Sequence, residues 1–180
     1  SRVETINAEM NNCLDGVLEP IGEGFVLIDR KTAHAPSRKG LVLAVDLEAY
    51  SFSAGAASLI RPTEGTILKR LPPRMAIRRG ATLDLPHILL LLDDPDRTVI
   101  EPLFSARRSF RKLYGFELMQ EGGAIAGWYV PAPAMGEAVA ALEKLALGGF
   151  LFAVGDGNHS LATAKSLWEE KKAAGAASDD

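Results

Sequence analysis

The sequence predicts an α/β fold, a mixed sheet with flanking helices. Three observations carry that prediction. Strand-like and helix-like segments alternate along the 180 residues instead of running in blocks. No repeat of solenoid length appears. The stretch from Phe150 to Trp168 reads as a buried strand, a tight glycine turn and a helix, the clearest single unit in the chain.

Each element follows from local pattern. Val3, Ile6, Met10 and Leu14 recur at helical spacing from Arg2 to Leu18, and Pro20, Gly22 and Gly24 end that helix. No capping residue or start methionine is evident before it, so the reading places Ser1 inside a longer chain. Phe25 to Ile28 and Leu41 to Val45 are short β-rich runs around a polar segment with Pro36, Ser37 and Gly40, as in a hairpin with a long loop. Arg61 to Gly80 is irregular, with short helices. Leu85 to Leu92 is a continuous apolar run between Pro86 and Asp93-Asp94-Pro95-Asp96, expected as a central strand followed by a turn. Glu101 to Leu113 fits a helix, Phe116 to Met119 and Gly127 to Val130 a hairpin, and Met135 to Leu147 an alanine-rich helix. In the last unit Gly149 to Val154 form the strand, Gly155-Asp156-Gly157 the turn, and Ser160 to Lys172 the helix, with Leu161, Ala164, Leu167 and Trp168 on one face. The tail from Ala173 to Asp180 is expected to fray.

Bulk properties narrow the function. A chain of 180 residues suits one domain, 1–180, with a sizeable core. Its 47% hydrophobic and 24% charged residues are those of a globular protein. A net charge of -3 and a pI near 5.7 argue against a general polyanion binder, so an anion site has to be local. The single cysteine, Cys13, is expected as a small buried hydrophobe in a reducing compartment. No apolar run spans a bilayer and no signal-peptide plan opens the chain, which predicts a cytoplasmic protein.

The strand-to-helix corner is the first candidate site. Backbone N–H groups of a glycine turn and of a first helical turn converge there, with the positive end of the helix dipole behind them. The dipole contributes about 0.3 to 2 kcal/mol, so holding a phosphate needs further cations or a metal. Asp156 points to Mg²⁺, because a carboxylate beside a phosphate repels it unless a cation lies between. His159, in the first turn, is placed to donate a hydrogen bond or move a proton. The plainer reading is that Asp, Asn and Gly simply build the turn and cap.

A second feature is the run Arg61, Lys69, Arg70, Arg74, Arg78 and Arg79, which leaves its segment locally +5 against one acid, Glu64. Such a run suits phosphates or carboxylates, although a solvated face paired with acids elsewhere is the commoner outcome. A positioned carboxylate base supplies about 10²- to 10⁴-fold in rate, which makes Glu64 a candidate. Asp93, Asp94 and Asp96 could hold a cation at the carboxyl edge of the sheet, though turn chemistry explains them more cheaply, His34 and His87 lack zinc-site partners, and no nucleophile elbow occurs.

Three motifs carry a resemblance: Leu59-Ile60-Arg61-Pro62-Thr63-Glu64-Gly65-Thr66, Leu85-Pro86-His87-Ile88 leading to Asp93-Asp94, and Phe152 through Ser160. Together they resemble the bacterial and archaeal proteins called domain of unknown function 1015, along nearly the whole chain. Members of that family are longer, which implies that this chain is a fragment. The family's form of the last motif, Asp-Gly-His-His-Arg, is similar to the signature of the superfamily of ParB, sulfiredoxin and free-serine kinases. The resemblance implies that Asp156 and His159 contact a phosphate donor and its Mg²⁺ and that Glu64 serves as base on a substrate hydroxyl. Asn158 and Thr63 stand where the family has histidines, Gly65 where it has lysine, and Ser160 where an arginine would clamp phosphate.

The expected site therefore has Glu64, Asp156 and His159 in catalysis and Asp156 on the metal. Gly155, Gly157, Asn158, Ser160 and Arg61 are placed on the cofactor, Mg²⁺ with a nucleotide or pyrophosphate. The leading expectation is a small-molecule, amino-acid hydroxyl kinase with a phosphorylated ligand and no membrane or nucleic-acid partner. The alternative is a nonenzymatic nucleotide-responsive or protein- or nucleic-acid-binding module that uses the Arg61 to Arg79 face.

Overall fold

The computed structural model describes residues 1–85 and 87–175. In chain order its elements begin with α1 (Arg2–Gly16), β1 (Phe25–Lys31), β2 (Arg38–Val42), β3 (Ile60–Pro62), α2 (Leu71–Arg78) and β4 (Leu89–Leu92). They continue with α3 (Ile100–Ala106), β5 (Lys112–Glu117), β6 (Ala124–Val130), α4 (Ala132–Ala146), β7 (Phe152–Asp156) and α5 (Asn158–Ala173). The chain groups into two compact units, Ser1–Pro20 with Asp46–Asp93 and Gly149 onward, and Ile21–Val45 with Asp94–Gly148. The class is mixed α/β, as predicted, with the strands divided between two sheets, one in each unit.

The second unit carries an antiparallel sheet in the order β2-β1-β6-β5. The expected hairpin is β1–β2, and its connection is tighter than predicted: Thr32 donates to the Ala35 carbonyl and Arg38 already pairs with Arg30. Leu27 and Val130 on the two middle strands are fully buried, and Val99, Leu103 and Ala138 are buried in the same unit. Gly127 is required by packing, since a Cβ there would lie 2.3 Å from the Tyr114 ring. The helix expected over Glu101 to Leu113 stops at Ala106. After a single 3-10 turn the chain enters β5 because β6 claims its backbone, the Tyr129 amide donating to the Arg111 carbonyl at 2.9 Å. Tertiary pairing here overrides local propensity.

The first unit carries a three-stranded sheet in the order β3-β7-β4, with β3 parallel and β4 antiparallel to β7. The expectation of a central strand at Leu85 to Leu92 is corrected. Only Leu89–Leu92 is strand, and it lies at the edge, where Leu91 is half exposed. An unbroken leucine run conceals which face is buried, so period alone does not distinguish edge from centre. The Pro86 boundary lies outside the described residues. The central position belongs to β7, whose Val154 is fully buried.

Helix α5 packs against α2 through Leu71, Met75 and Ala162, with Phe52 and Leu167 against them. Arg79, at the C-cap of α2, grips both oxygens of Glu170 on α5, each at 3.1 Å. Helix α1 does have a cap: the Ser1 hydroxyl accepts the Glu4 amide. None of its residues is buried, and Cys13 is only half-buried, not the core hydrophobe expected. Ala173 ends α5 in helical conformation, and the rest of the expected frayed tail beyond Gly175 lies outside the described residues. Among the described residues no helix is long and apolar enough to cross a membrane.

Candidate functional site

The strand-to-helix corner forms as the sequence predicts, with its boundaries shifted by two residues. Strand β7 runs on through Asp156, and α5 starts at Asn158 instead of Ser160. Gly157 between them adopts φ +83°, and a Cβ on it would lie 2.7 Å from the His87 carbonyl oxygen. Glycine is thus dictated here by backbone conformation and by the close approach of the loop before β4. Gly155 is explained by packing as well, since Leu91 fills the space its Cβ would take.

Among the described residues no side chain caps the first turn of α5. Its leading N–H groups therefore lack intrahelical partners, the condition that favours an anion. Asp156 is exposed beside them, with Oδ1 accepting the Gly157 amide at 2.7 Å.

Asn158 fastens this corner to the segment after β3. It is 5% exposed, and its Oδ1 accepts the Thr63 amide at 3.2 Å while Nδ2 donates to the Val154 carbonyl at 3.2 Å. The Thr63 hydroxyl donates to that same carbonyl at 2.6 Å. A buried amide with both ends satisfied locks parallel strands β3 and β7 at their carboxyl ends.

That lock delivers the next residue, Glu64, to His159. Glu64 Oε1 stands 3.7 Å from His159 Nδ1, in ion-pair range though longer than a hydrogen bond. His159 is largely buried, at 14% side-chain exposure, and its Nε2 accepts the Ile67 amide at 3.1 Å. Glu64 is open, at 62%, and faces a cleft of about 850 Å³ lined by Phe52, Ala54, Arg61, Thr63 and Leu68 among others.

The remaining candidates are placed differently. Arg61 lines the cleft, but its guanidinium donates to the carbonyls of Ser58 and Gly149, both at 2.7 Å, and lies over the Phe150 ring. Asp156 does not line the cleft, and among the described residues its side chain accepts only the Gly157 amide. Ser160 meets Arg78, whose Nη1 donates to the Ser160 carbonyl at 2.8 Å while Nη2 pairs with Asp84. Of the rest of the basic run, Arg74 donates to the Arg70 carbonyl and Arg79 pairs with Glu170.

Sequence reasoning missed Thr63 as a brace, the Ile67 amide as a clamp and Arg78 as the arginine beside Ser160. Thr63 and Arg78 lie in segments already singled out, but nothing local signals their partners, which are 82 to 95 residues away. Among the described residues no three of His, Cys, Asp and Glu gather as metal ligands. Asp156 stands as a single carboxylate at a helix N-terminus.

Fold and site together define an α/β protein that presents a carboxylate–imidazole pair next to an uncapped helix N-terminus. The chain belongs to the family described as protein of unknown function (DUF1015), whose model matches residues 1–180. No curated protein and no solved structure matches it.

Proposed function

We propose that this protein is a phosphate-handling enzyme, a Mg²⁺-dependent kinase acting on the hydroxyl of a small molecule. One observation carries the reading: a carboxylate from the middle of the chain, Glu64, meets the first turn of α5 at His159. The likeness of the corner motif to the ParB, sulfiredoxin and free-serine kinase superfamily favours the same reading, and a cytoplasmic setting suits it.

The residues present fit Mg²⁺ with a nucleotide or pyrophosphate. Mg²⁺ is usually held by one or two carboxylates together with phosphate oxygens and water, and Asp156 is exposed, with no hydrogen bond to Oδ2 among the described residues. The leading amides of α5 would receive the phosphate oxygens. When bound, the metal would neutralise phosphate charge.

The chain's own residues do the rest. Glu64, open to the cleft, takes the proton from an acceptor hydroxyl lying there. His159 fixes the direction of that carboxylate, and the Asn158–Thr63 lock keeps the loop carrying it against α5. Ser160 occupies the position of the arginine in the related motif, and the Arg78 guanidinium that donates to its carbonyl is already paired with Asp84.

Thermal unfolding with pyrophosphate or a nucleotide plus Mg²⁺ tests the site. A ligand at about 100 times its Kd stabilises by about 2.7 kcal/mol. Asp156→Ala should abolish that stabilisation, and Glu64→Gln should leave it while lowering phosphate transfer about 10²-fold or more. Absence of any Mg²⁺-dependent shift across the panel sinks the reading.

The nonenzymatic alternative needs a free basic face, and the engagement of Arg61, Arg74, Arg78 and Arg79 with carbonyls and carboxylates disfavours it.

A further inference from the structure

We infer that the cleft in front of Glu64 binds a small organic ammonium with an apolar body, an inference that rests on Glu64 being the acceptor-side group of the proposed enzyme. Among the described residues two charged side chains line the cleft, Arg61 and Glu64. Arg61 is consumed by the two backbone carbonyls it bridges and by the Phe150 ring beneath it. Among the described residues Glu64 pairs only with His159, whose Nε2 accepts the Ile67 amide.

The charge left available to a ligand is therefore negative. Among the described residues that line the cleft, an anionic ligand would meet a carboxylate and no free cation, whereas an ammonium would find its counter-charge. Phe52, Pro62 and Leu68 supply apolar wall, and Phe52 packs against the α2–α5 cluster. Phosphate and acceptor are thus sorted by charge, phosphate to the amides of α5 and the amine to the cleft. Because a carboxylate has two oxygens, one can hold the ammonium while the other faces a neighbouring hydroxyl, which favours amino alcohols as acceptors.

Three probes of matched size and different charge decide the matter: phenethylammonium, 2-phenylethanol and phenylacetate. Their binding to the full chain is measured by protein-observed NMR titration of the labelled chain, in which the amides of Gly65 and Thr66 report the location. Phenethylammonium should bind about two- to five-fold tighter than 2-phenylethanol, the range for an exposed ion pair, with phenylacetate weakest. Glu64→Gln should bring the ammonium to the level of the alcohol, and Glu64→Asp should do so partly if the glutamine variant does not fold. Equal or tighter binding of phenylacetate, a preference that survives in Glu64→Gln, or no binding by any probe overturns the inference. Running the Mg²⁺-pyrophosphate shift on the same samples separates the two readings. Loss of that shift with the ammonium preference intact would sink the phosphate site alone, and the converse would sink the amine site alone.

Discussion

The amide of Ile67 donates to Nε2 of His159 across 3.1 Å, and this bond decides which nitrogen of the ring is free. With Nε2 acting as acceptor, the neutral ring carries its proton on Nδ1, the atom 3.7 Å from Glu64. His159 is then a positioning group that offers a donor to Glu64. Proton transfer through Nε2 would first have to break the bond to Ile67.

Nitrogen NMR on selectively labelled protein should therefore report Nε2 as the unprotonated nitrogen of the neutral ring. His159→Gln, whose carbonyl can still receive the Ile67 amide, should keep stability within about 1 kcal/mol while losing the donor to Glu64. His159→Asn should behave the opposite way. A ring with its proton on Nε2 contradicts the arrangement.

Asn158 is the brace that brings the two halves of the site together, and its amide is satisfied at both ends. Asn158→Ala strands the Thr63 amide and should destabilise the protein by about 1 to 3 kcal/mol in urea titration. Asn158→Asp retains the acceptor for Thr63 but places a buried carboxylate against the Val154 carbonyl, so its loss should be at least as large.

Gly157 tests whether the turn is structural. A left-handed backbone costs a non-glycine residue about 1 to 2 kcal/mol, and the added Cβ would also press on the His87 carbonyl. Gly157→Ala should lower the melting temperature, whereas Gly65→Ala, which meets open space, should not lower it measurably.

Acid stability should be sensitive to Glu48. Its carboxyl is pushed down from 4.5 to about 2, first by the hydrogen bond from Lys172 on α5 and then by that from Trp168. The folded state therefore favours the ionised form. The stability this contributes is fully present above the unfolded pKa near 4.5 and is lost as pH falls toward 2. Glu48 is half exposed, so solvent screens the effect. Glu48→Gln should flatten the decline of melting temperature between pH 4.5 and pH 2 without removing it, since Glu169 and Asp94 are also held below their ordinary values.

Much of this fold was legible in the sequence because the relevant forces act within a few residues. The period of Val3, Ile6 and Met10 gave α1, the β-rich runs flanking Pro36 gave the β1–β2 hairpin, and the apolar run into Gly155-Asp156-Gly157 gave the corner. The motif around Arg61 to Thr66 and that around Asp156 to Ser160 pointed to the family whose model covers the chain. Boundaries failed where a distant strand claimed the backbone, as at Lys112, or where an all-leucine run carried no period, as at β4.

By itself, then, the sequence determined the α/β class, the strand-turn-helix corner and the candidacy of Glu64 and His159, since propensity, apolar period and turn geometry are local properties. Only the tertiary structure decided that parallel pairing of β3 with β7 sets those two side chains 3.7 Å apart. It alone also decided that Arg61 is tied to backbone carbonyls and that Arg78 stands by Ser160. Those outcomes depend on strand register and on hydrogen bonds between residues more than 80 positions apart, and no window of sequence contains both partners.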